Sequence, residues 1–488
     1  MSDSVCHSIS QRIVDDTREV RPGDIYVLRQ GAVPLTQTQA LDLTQKAVQA
    51  GASEIYADPA FDLSPGVPVR PVLAPHLHLR DIAESFYGRP PRSMKLVAVT
   101  GTNGKTTTTY LIESLARRLG LRTGVIGTIS YRYPGYEENS LNTTPGTLKL
   151  YRLLHDMAAA GCELVAMEVS SHGIVQGRID GLCFDAAVWT NLGTDHLDFH
   201  HTREAYARAK QRLFGHHLAL SHDAGKSPVA VVNADDREVM AHVSDADPAR
   251  WGGAVRTFSI KGQPADLRIG RREWTNHTWR LNMTLDGHAY DVEFPLVGEF
   301  NLANMASAVA ALQAVGCPPE RLVQAIPQAG QVPGRMECVH RDPLVIVDFA
   351  HTPEALENAL LTARQCTRAS GKLGVVFGAG GDRDPSKRRV MGEIASKHAD
   401  FIVVTSDNPR TEDPGKILDE ITKGIPKDCP HEVYLDRTEA IHRTLAMARA
   451  QDTVLIAGKG HEDYQILGTT KIHFDDREVV RNAYEEHA

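Results

Sequence analysis

The run TGTNGKTTTTY (residues 100–110) sets a glycine turn, a lysine and a row of threonines between the apolar KLVAV and the helix-period LIESLARRLG. Strand, glycine turn, lysine and helix make a loop suited to phosphate. Gly101 and Gly104 let backbone N–H groups converge on phosphate oxygens, and the following helix aims its positive end at them. Lys105 can neutralise β- and γ-phosphates, and Thr106 can offer its hydroxyl to Mg2+. The loop Gly101, Thr102, Asn103, Gly104, Lys105, Thr106 and Thr107 is therefore read as binding ATP. Its spacing is short, because only Thr102 and Asn103 separate Gly101 from Gly104, where the common P-loop has four residues before its GK pair.

Further along, MEVSSHG closes an apolar run on Glu168. An acid at the carboxyl end of a strand, in the same unit as a phosphate loop, is a natural Mg2+ ligand. TNLGTDHLDFHH crowds Asp195, His196, Asp198, His200 and His201 behind another strand; one imidazole could ligate a metal, although surface histidines explain the cluster equally well. Neither HExxH nor cysteine ligands occur, which argues against zinc. Lys210 lies at the edge of the helical stripe Tyr206, Ala209, Leu213 and by itself reads as a solvated lysine. GAGGDRD (378–384) lacks the dinucleotide spacing and would set acid against a pyrophosphate. SDNPR (406–410) ends a strand with a proline turn that aims Arg410, whose guanidinium could grip a carboxylate bidentately. AGKGHEDYQ (457–465) brings Glu462 to the end of the next strand. An arginine and a glutamate brought together suit a zwitterion, one on its carboxylate and the other on its ammonium.

The elements that must hold these residues alternate apolar runs with helix-period stretches: LVAVT, TYLIESLARRLG, TGVIGTI, TLKLYRLLHDMAAAG, ELVAMEVS, FDAAVWTNL. That is the pattern of a parallel sheet with crossover helices. A polar β-rich stretch (266–296) and the helix NLANMASAVAALQAVG follow, and QVPGRM opens a further βα series. The expected class is α/β in three domains: a small N-terminal α/β domain over 1–92, a central P-loop-type parallel-sheet ATPase domain over 93–331 and a C-terminal Rossmann-like domain over 332–488. A length of 488 residues suits several cores. The net charge of −8 argues against nucleic acid as the main partner. The seven cysteines are scattered without a CxxC, as expected of reduced thiols. MSDSVCHSISQRIVDD has no signal layout, and no apolar run approaches the ~20 residues that span a bilayer. A cytoplasmic protein without membrane partners is expected.

Taken in order, GTNGKTT, NTTPGTL, MEVSSHGIVQGRIDG, TNLGTDHLDFH, AYARAKQRLF, GEFNLANMASAVAAL, VPGRMECV, VDFAHTPEAL, FGAGGDRDPSKR, DNPR and AGKGHEDYQ resemble the Mur ligase family from about residue 93 to the end. That family uses the short P-loop. The resemblance implies a monomeric, ATP- and Mg2+-dependent amide ligase of peptidoglycan precursor synthesis. It would add meso-2,6-diaminopimelate to UDP-MurNAc-L-Ala-D-Glu through an acyl phosphate. Carried over position by position, Thr106 and Glu168 would hold one Mg2+, and His196 and a carbamylated Lys210 the second, with Lys105, His196 and Lys210 catalytic. Asn301, Asn304, Arg335 and Asp348 match positions associated with ATP. Thr143, Thr144, Ser170, Gln176 and Arg178 match residues that hold the acceptor. Arg383, Asp407, Asn408, Pro409, Arg410, Gly458 and Glu462 match the diaminopimelate site. Because ATP residues fall in both the second and third units, domain closure is implied.

The first domain departs from the family pattern. A DSR triplet is usual in the uridine site, and here Thr17 takes the serine's place in DDTREV, keeping the hydroxyl for the acceptor. The GxxxDGHDF-like segment expected after the next strand is replaced by RQGAVPLTQTQALDL. Three alternatives stay open from sequence. One is a relative that uses another amino acid or carboxylate acceptor, as folylpolyglutamate synthases do. Another is a P-loop switch or kinase, and the third an inactive binding paralogue.

Overall fold

The structure is a computed structural model that describes residues 11–30 and 33–485. The first ten residues, with Cys6, and two residues of the departing segment, Gly31 and Ala32, lie outside the described residues; the other six cysteines are free thiols. The chain divides into two compact units, residues 1–258 with 307–318, and residues 259–306 with 319–488. Among the described residues no helix is long and apolar enough to cross a membrane.

The first unit contains two sheets. The smaller has four parallel strands in chain order: β1 (Ile13–Val14), β2 (Ile25–Val27), β3 (Glu54–Ala57) and β4 (Val69–Pro71). Helix α1 (Gln37–Gln49) starts on a capping box in which Thr36 accepts from the Gln39 amide and Gln39 accepts from that of Thr36. Its Ala40 and Ala47 are buried with Val14, Tyr26, Leu28 and Ile55. Helix α2 (Leu79–Tyr87) then leads to the larger sheet.

That sheet is made by β5 (Lys95–Thr100), β6 (Thr123–Ile126), β7 (Ser130–Tyr133), β8 (Tyr136–Asn139), β9 (Leu164–Glu168), β10 (Ala186–Trp189), β11 (Val229–Asn233) and β12 (Val255–Ser259). Their order is β12-β11-β10-β5-β9-β6-β7-β8. All neighbours are parallel apart from the β6–β7–β8 meander. Strands β5, β9 and β10 are buried almost throughout, as continuous apolar runs in a doubly covered sheet require. Registers pair Val99 with Glu168 and Thr100 with Trp189, so three strands end together at the phosphate loop. Helices α3 (Lys105–Arg118), α4 (Thr147–Ala159), α5 (Ser171–Val175), α6 (Leu197–His200) and α7 (Arg203–Arg212) follow these strands. The helix expected over TREAYARAKQRLF continues past Arg212 as a π-turn, Leu213–Leu218.

In the second unit, the polar β-rich stretch forms an antiparallel meander: β13 (Leu267–Thr275), β14 (Thr278–Leu285) and β15 (His288–Phe294). A six-stranded sheet follows from β16 (Glu337–His340), β17 (Leu344–Asp348), β18 (Leu373–Phe377), β19 (Phe401–Thr405), β20 (His431–Tyr434) and β21 (Thr453–Ala457). The order is β16-β17-β21-β18-β19-β20, parallel except at β16. A short hairpin, β22 (Tyr464–Leu467) with β23 (Thr470–His473), completes the unit. The expected α/β class with a parallel central sheet and a Rossmann-like C-terminal sheet is what the chain adopts.

Candidate active site

The phosphate loop leaves β5 at Thr100 and enters α3 at Lys105. Gly101 has φ +144, and a Cβ there would overlap the Thr190 hydroxyl, so only glycine fits the turn. Lys105 folds back over the loop, its Nζ donating to the Gly101 and Thr102 carbonyls at 3.0 and 2.8 Å. Thr102 is pinned from two sides, its Oγ1 accepting from the Gly193 amide at 2.8 Å and from the Tyr206 hydroxyl at 3.2 Å. Asn103 donates its amide to Asn191 Oδ1 at 2.9 Å.

Glu168, the last residue of β9, is wholly buried. Its carboxylate accepts from Thr106 Oγ1 at 3.0 Å, from the Thr128 amide at 2.7 Å and from Thr128 Oγ1 at 3.0 Å. The loop and the strand-end acid expected to work together are thus in contact. Thr128 also meets Thr143 at 3.0 Å, which joins the NTTPG segment to the same network. Next to it, Thr144 Oγ1 donates to the Glu168 carbonyl at 3.0 Å and receives the Ser170 amide at 2.9 Å. Ser170 in turn caps α5 through the Gly173 amide at 3.0 Å. Arg178 donates to the Thr144 carbonyl at 2.5 Å and to Gln176 Oε1 at 2.9 and 2.6 Å. Thr143, Thr144, Ser170, Gln176 and Arg178 therefore form one connected patch beside Glu168. Thr17 lies in the half-buried segment after β1. Its neighbour Asp15 pairs with Arg29 at 2.7 Å. Burial, opposed by Arg29, pushes the Asp15 carboxyl up, while burial and the Arg29 charge pull the Arg178 guanidinium down.

Lys210 overturns the solvated reading that its own helix suggests: it is 1% exposed. Its Nζ donates to the Gly101 carbonyl at 2.8 Å and sits 4.4 Å from the Tyr206 ring centroid. Burial, and then the charge of Lys105, hold it well below the usual lysine range. The amine thus shares the Gly101 carbonyl of the phosphate loop with Lys105. His196 takes a left-handed backbone, φ +51. Its ring lies edge-on to His172 at 4.8 Å and 6.2 Å from Tyr206. His172 also lies tilted against Phe199 at 4.1 Å, and His200 is buried with Nε2 2.9 Å from Ser171 Oγ. Asp195 lies 3.4 Å from His196 on the exposed side, while Asp198 and His201 face solvent.

In the second unit, Asp348 ends β17 and accepts from the Met336 and Ala350 amides at 2.7 and 2.9 Å. Burial pushes its carboxyl up against the pull of Arg335. The Arg335 guanidinium covers the Phe349 ring at 4.9 Å, and His461 lies 5.0 Å from that ring, brought down to about 4 by burial and then by Arg335. Asn301 donates to the Val297 carbonyl at 2.7 Å and accepts from Asn304 at 2.8 Å. A Cβ on Gly334 would overlap the Gly460 backbone, and one on Gly460 would come within 2.7 Å of Phe349 Cα. The turn before β16 and the loops after β17 and β21 therefore interlock.

The DNPR turn meets the loop after β21. Asn408 donates to Glu462 Oε2 at 3.0 Å and accepts from the Ile466 amide at 2.9 Å. Lys459, fully buried, reaches Asn408 Oδ1 and Glu462 Oε2 at 3.4 Å and Asp407 Oδ1 at 3.7 Å. Arg410, in the left-handed region at φ +53, bonds its amide to the Ile466 carbonyl at 3.1 Å and its Nη1 to the Gly381 carbonyl at 2.8 Å. Pro409 packs against Gly381, and Gly458 against Asp407. Arg383 stays at the rim, donating only to the Asp382 carbonyl at 3.1 Å among the described residues.

Two family models match this chain: the Mur ligase middle domain over residues 99–312 and the Mur ligase, glutamate ligase domain over residues 334–460. A protein of Synechococcus elongatus named UDP-N-acetylmuramoyl-L-alanyl-D-glutamate--2,6-diaminopimelate ligase is 44% identical, covering 96% of this chain and 93% of its own. The chain belongs to the Mur ligase family. A protein of the same name from Gloeobacter violaceus is 43% identical over 96% of this Mur ligase and 92% of its own length. A solved structure, again of a UDP-N-acetylmuramoyl-L-alanyl-D-glutamate--2,6-diaminopimelate ligase, superposes with a TM-score of 0.68 at 33% identity, over 98% of this chain and 95% of that one.

Several residues of this Mur ligase's site went unread in its sequence. Thr128 binds Glu168 from the far end of β6, and no local pattern marks it. Tyr206 belongs to an apolar helical stripe by its spacing, yet its hydroxyl donates to Thr102 of the phosphate loop. His172 and Lys459 sit inside longer motifs, and neither the ring contacts of His172 nor the burial of Lys459 is visible before the chain folds.

Proposed function

We propose that this Mur ligase is an ATP-dependent, ADP-forming amide ligase of the MurE type. It adds meso-2,6-diaminopimelate to UDP-MurNAc-L-Ala-D-Glu in cytoplasmic peptidoglycan precursor synthesis, as a monomer. The observation that carries the reading is the near full-length identity of 43–44% to proteins bearing that ligase's name. The DNPR turn held against Glu462 supports it.

A free carboxylate resists attack by amines, so it must first gain a leaving group. The acceptor's D-glutamyl carboxylate oxygen attacks the γ-phosphorus of ATP, ADP departs, and an acyl phosphate forms. The diaminopimelate amine then adds to the acyl carbon, loses its proton, and the tetrahedral intermediate expels phosphate to leave the amide. Gly101 to Thr107 seat the phosphates, and Lys105 balances charge on the oxygens of the transferring group. Asn301, Asn304, Arg335 and Asp348 are proposed for the rest of ATP. Thr17, Thr143, Thr144, Ser170, Gln176 and Arg178 orient the acceptor. Arg410 and the rim Arg383 read carboxylate, while Asp407, Asn408 and Glu462 read ammonium beside Pro409 and Gly458.

The donors present fit Mg2+. Thr106 and Glu168 offer hard oxygens in contact at 3.0 Å, and Mg2+ is commonly held by one or two carboxylates together with substrate phosphates. Among the described residues no group of three or more His, Cys, Asp or Glu gathers as a complete metal cage. Bound there, Mg2+ would offset charge on the transferring phosphoryl group. His196 and Lys210 are proposed at a second such position. An ammonium would repel the cation, whereas a buried neutral amine can add to CO2, lose a proton and become an anionic carbamate.

The test is phosphate release with Mg-ATP and UDP-MurNAc-L-Ala-D-Glu, comparing meso-diaminopimelate, L-lysine and no amino acid. Turnover with diaminopimelate alone, giving a tripeptide of the right mass, is expected. Turnover without an amino acid, or no turnover with any of them, refutes the assignment.

A further inference from the structure

Arg437 opens the helix Arg437–Met447 and is completely buried with Asp476. Its guanidinium makes four bonds. Nε and Nη2 grip the Asp476 carboxylate at 2.7 and 2.8 Å, Nη1 donates to the Ser406 carbonyl at 3.3 Å, and Nη2 to the Ala457 carbonyl at 3.1 Å. Ser406 immediately precedes Asp407, and Ala457 immediately precedes Gly458. One side chain therefore holds the roots of both loops assigned to the amino acid.

The strand order explains why such a tie is needed. β19 and β21 are not neighbours; β18 lies between them. The sheet's own hydrogen bonds thus reach from one loop root to the other only through a third strand. Arg437 spans that gap directly. Lys459 spans it a second time, through Asn408 and Glu462. A buried ion pair returns little net stability compared with well-packed apolar groups of the same volume. Its value here is geometric, since a planar guanidinium fixes directions that a greasy pair would leave loose.

We infer that Arg437 and Asp476 are positioning residues for the amino-acid end of the site. They set the spacing between the Asp407–Arg410 turn and the Gly458–Glu462 loop, which one diamino dicarboxylate must bridge. The inference rests on the functional reading above. Neither residue touches substrate; each acts through the backbone carbonyls that it holds.

The test uses the full chain with two variants. Arg437→Lys keeps a charge for Asp476, but one ammonium cannot serve the carboxylate and both carbonyls. The double variant Arg437→Met/Asp476→Leu keeps apolar packing and removes the tie altogether. For both, the KM for diaminopimelate should rise at least ~10-fold, while those for ATP and the acceptor stay within ~2-fold, the split expected when one substrate's binding geometry alone is lost. Hydrogen exchange should quicken in residues 405–412 and 457–464 and hold elsewhere. A uniform rise in all three KM values, or unchanged exchange in both loops, overturns the inference. Should the double variant fail to fold, Arg437→Lys decides. Wild-type protein inert toward diaminopimelate would instead refute the functional reading, and the exchange experiment would still judge the pair.

Discussion

Arg410→Ala tests the substrate choice most directly. The backbone at Arg410 is fixed independently of its side chain, by its own amide on the Ile466 carbonyl at 3.1 Å and by the Gly468 amide on its carbonyl at 2.8 Å. Alanine tolerates the left-handed conformation about as well as arginine does, so the turn should persist. What goes is a guanidinium whose Nη1 is already spent on Gly381, while Nε and Nη2 hydrogen-bond nothing among the described residues. Two free N–H groups side by side match one carboxylate. A hydrogen bond to a charged group contributes ~1.5–3 kcal/mol. At ~1.4 kcal/mol per decade, the diaminopimelate KM should rise roughly 10- to 100-fold. Lysine lacks the second carboxylate and is not expected to turn over with either protein, so the loss should fall on diaminopimelate alone. Phosphate release with each substrate varied in turn reads all of this, and Arg410→Lys should fall between the two. An equal rise in the ATP KM, or an unaltered diaminopimelate KM, would refute the clamp.

Lys105→Ala should abolish ADP formation yet leave acceptor binding measurable by calorimetry; near-normal turnover would remove Lys105 from phosphoryl transfer. Lys210→Ala should be inactive and regain part of its activity with added short carboxylic acids. Full activity in the plain variant would end its metal-ligand role. His217, buried in the π-turn with neither ring nitrogen hydrogen-bonded among the described residues, is brought down to about 3 by burial. The half-exposed carboxylate of Asp180 at 3.9 Å is too far to hydrogen-bond it. The unfolded chain takes up this proton below about pH 6.5 and the folded chain only near 3, so stability should fall as pH drops through that window, by roughly 4–5 kcal/mol in full. His217→Leu should flatten that acid limb in denaturant titrations; an unchanged limb would place the acid sensitivity elsewhere.

How much of this could be read beforehand depended on how far apart the cooperating residues lie. The phosphate loop was legible because strand, glycines, lysine and helix are consecutive, and Glu168 because an acid ends an apolar run. Arg410 and Glu462 were legible as residues, and the meeting of their loops, through Asn408, followed from parallel strands ending at one edge. Lys210 was not. Its helix pattern says surface, and its burial comes from the phosphate loop, 109 residues earlier in sequence. Thr128 and Arg437 failed for the same reason, their partners lying 40 and 39 residues away. The helix over 202–214 was foreseen, but its π-turn was not, since helical periodicity carries no mark of a local widening.

The interlock of Gly334, Gly460 and Phe349 also bears on inhibition. Space there is closed by backbone atoms, which no rotamer change can move aside. A compound seated only against that knot of loops would leave the cell a narrow choice of resistance mutations, because a substitution bulky enough to expel the compound would first dislodge the enzyme's own loops.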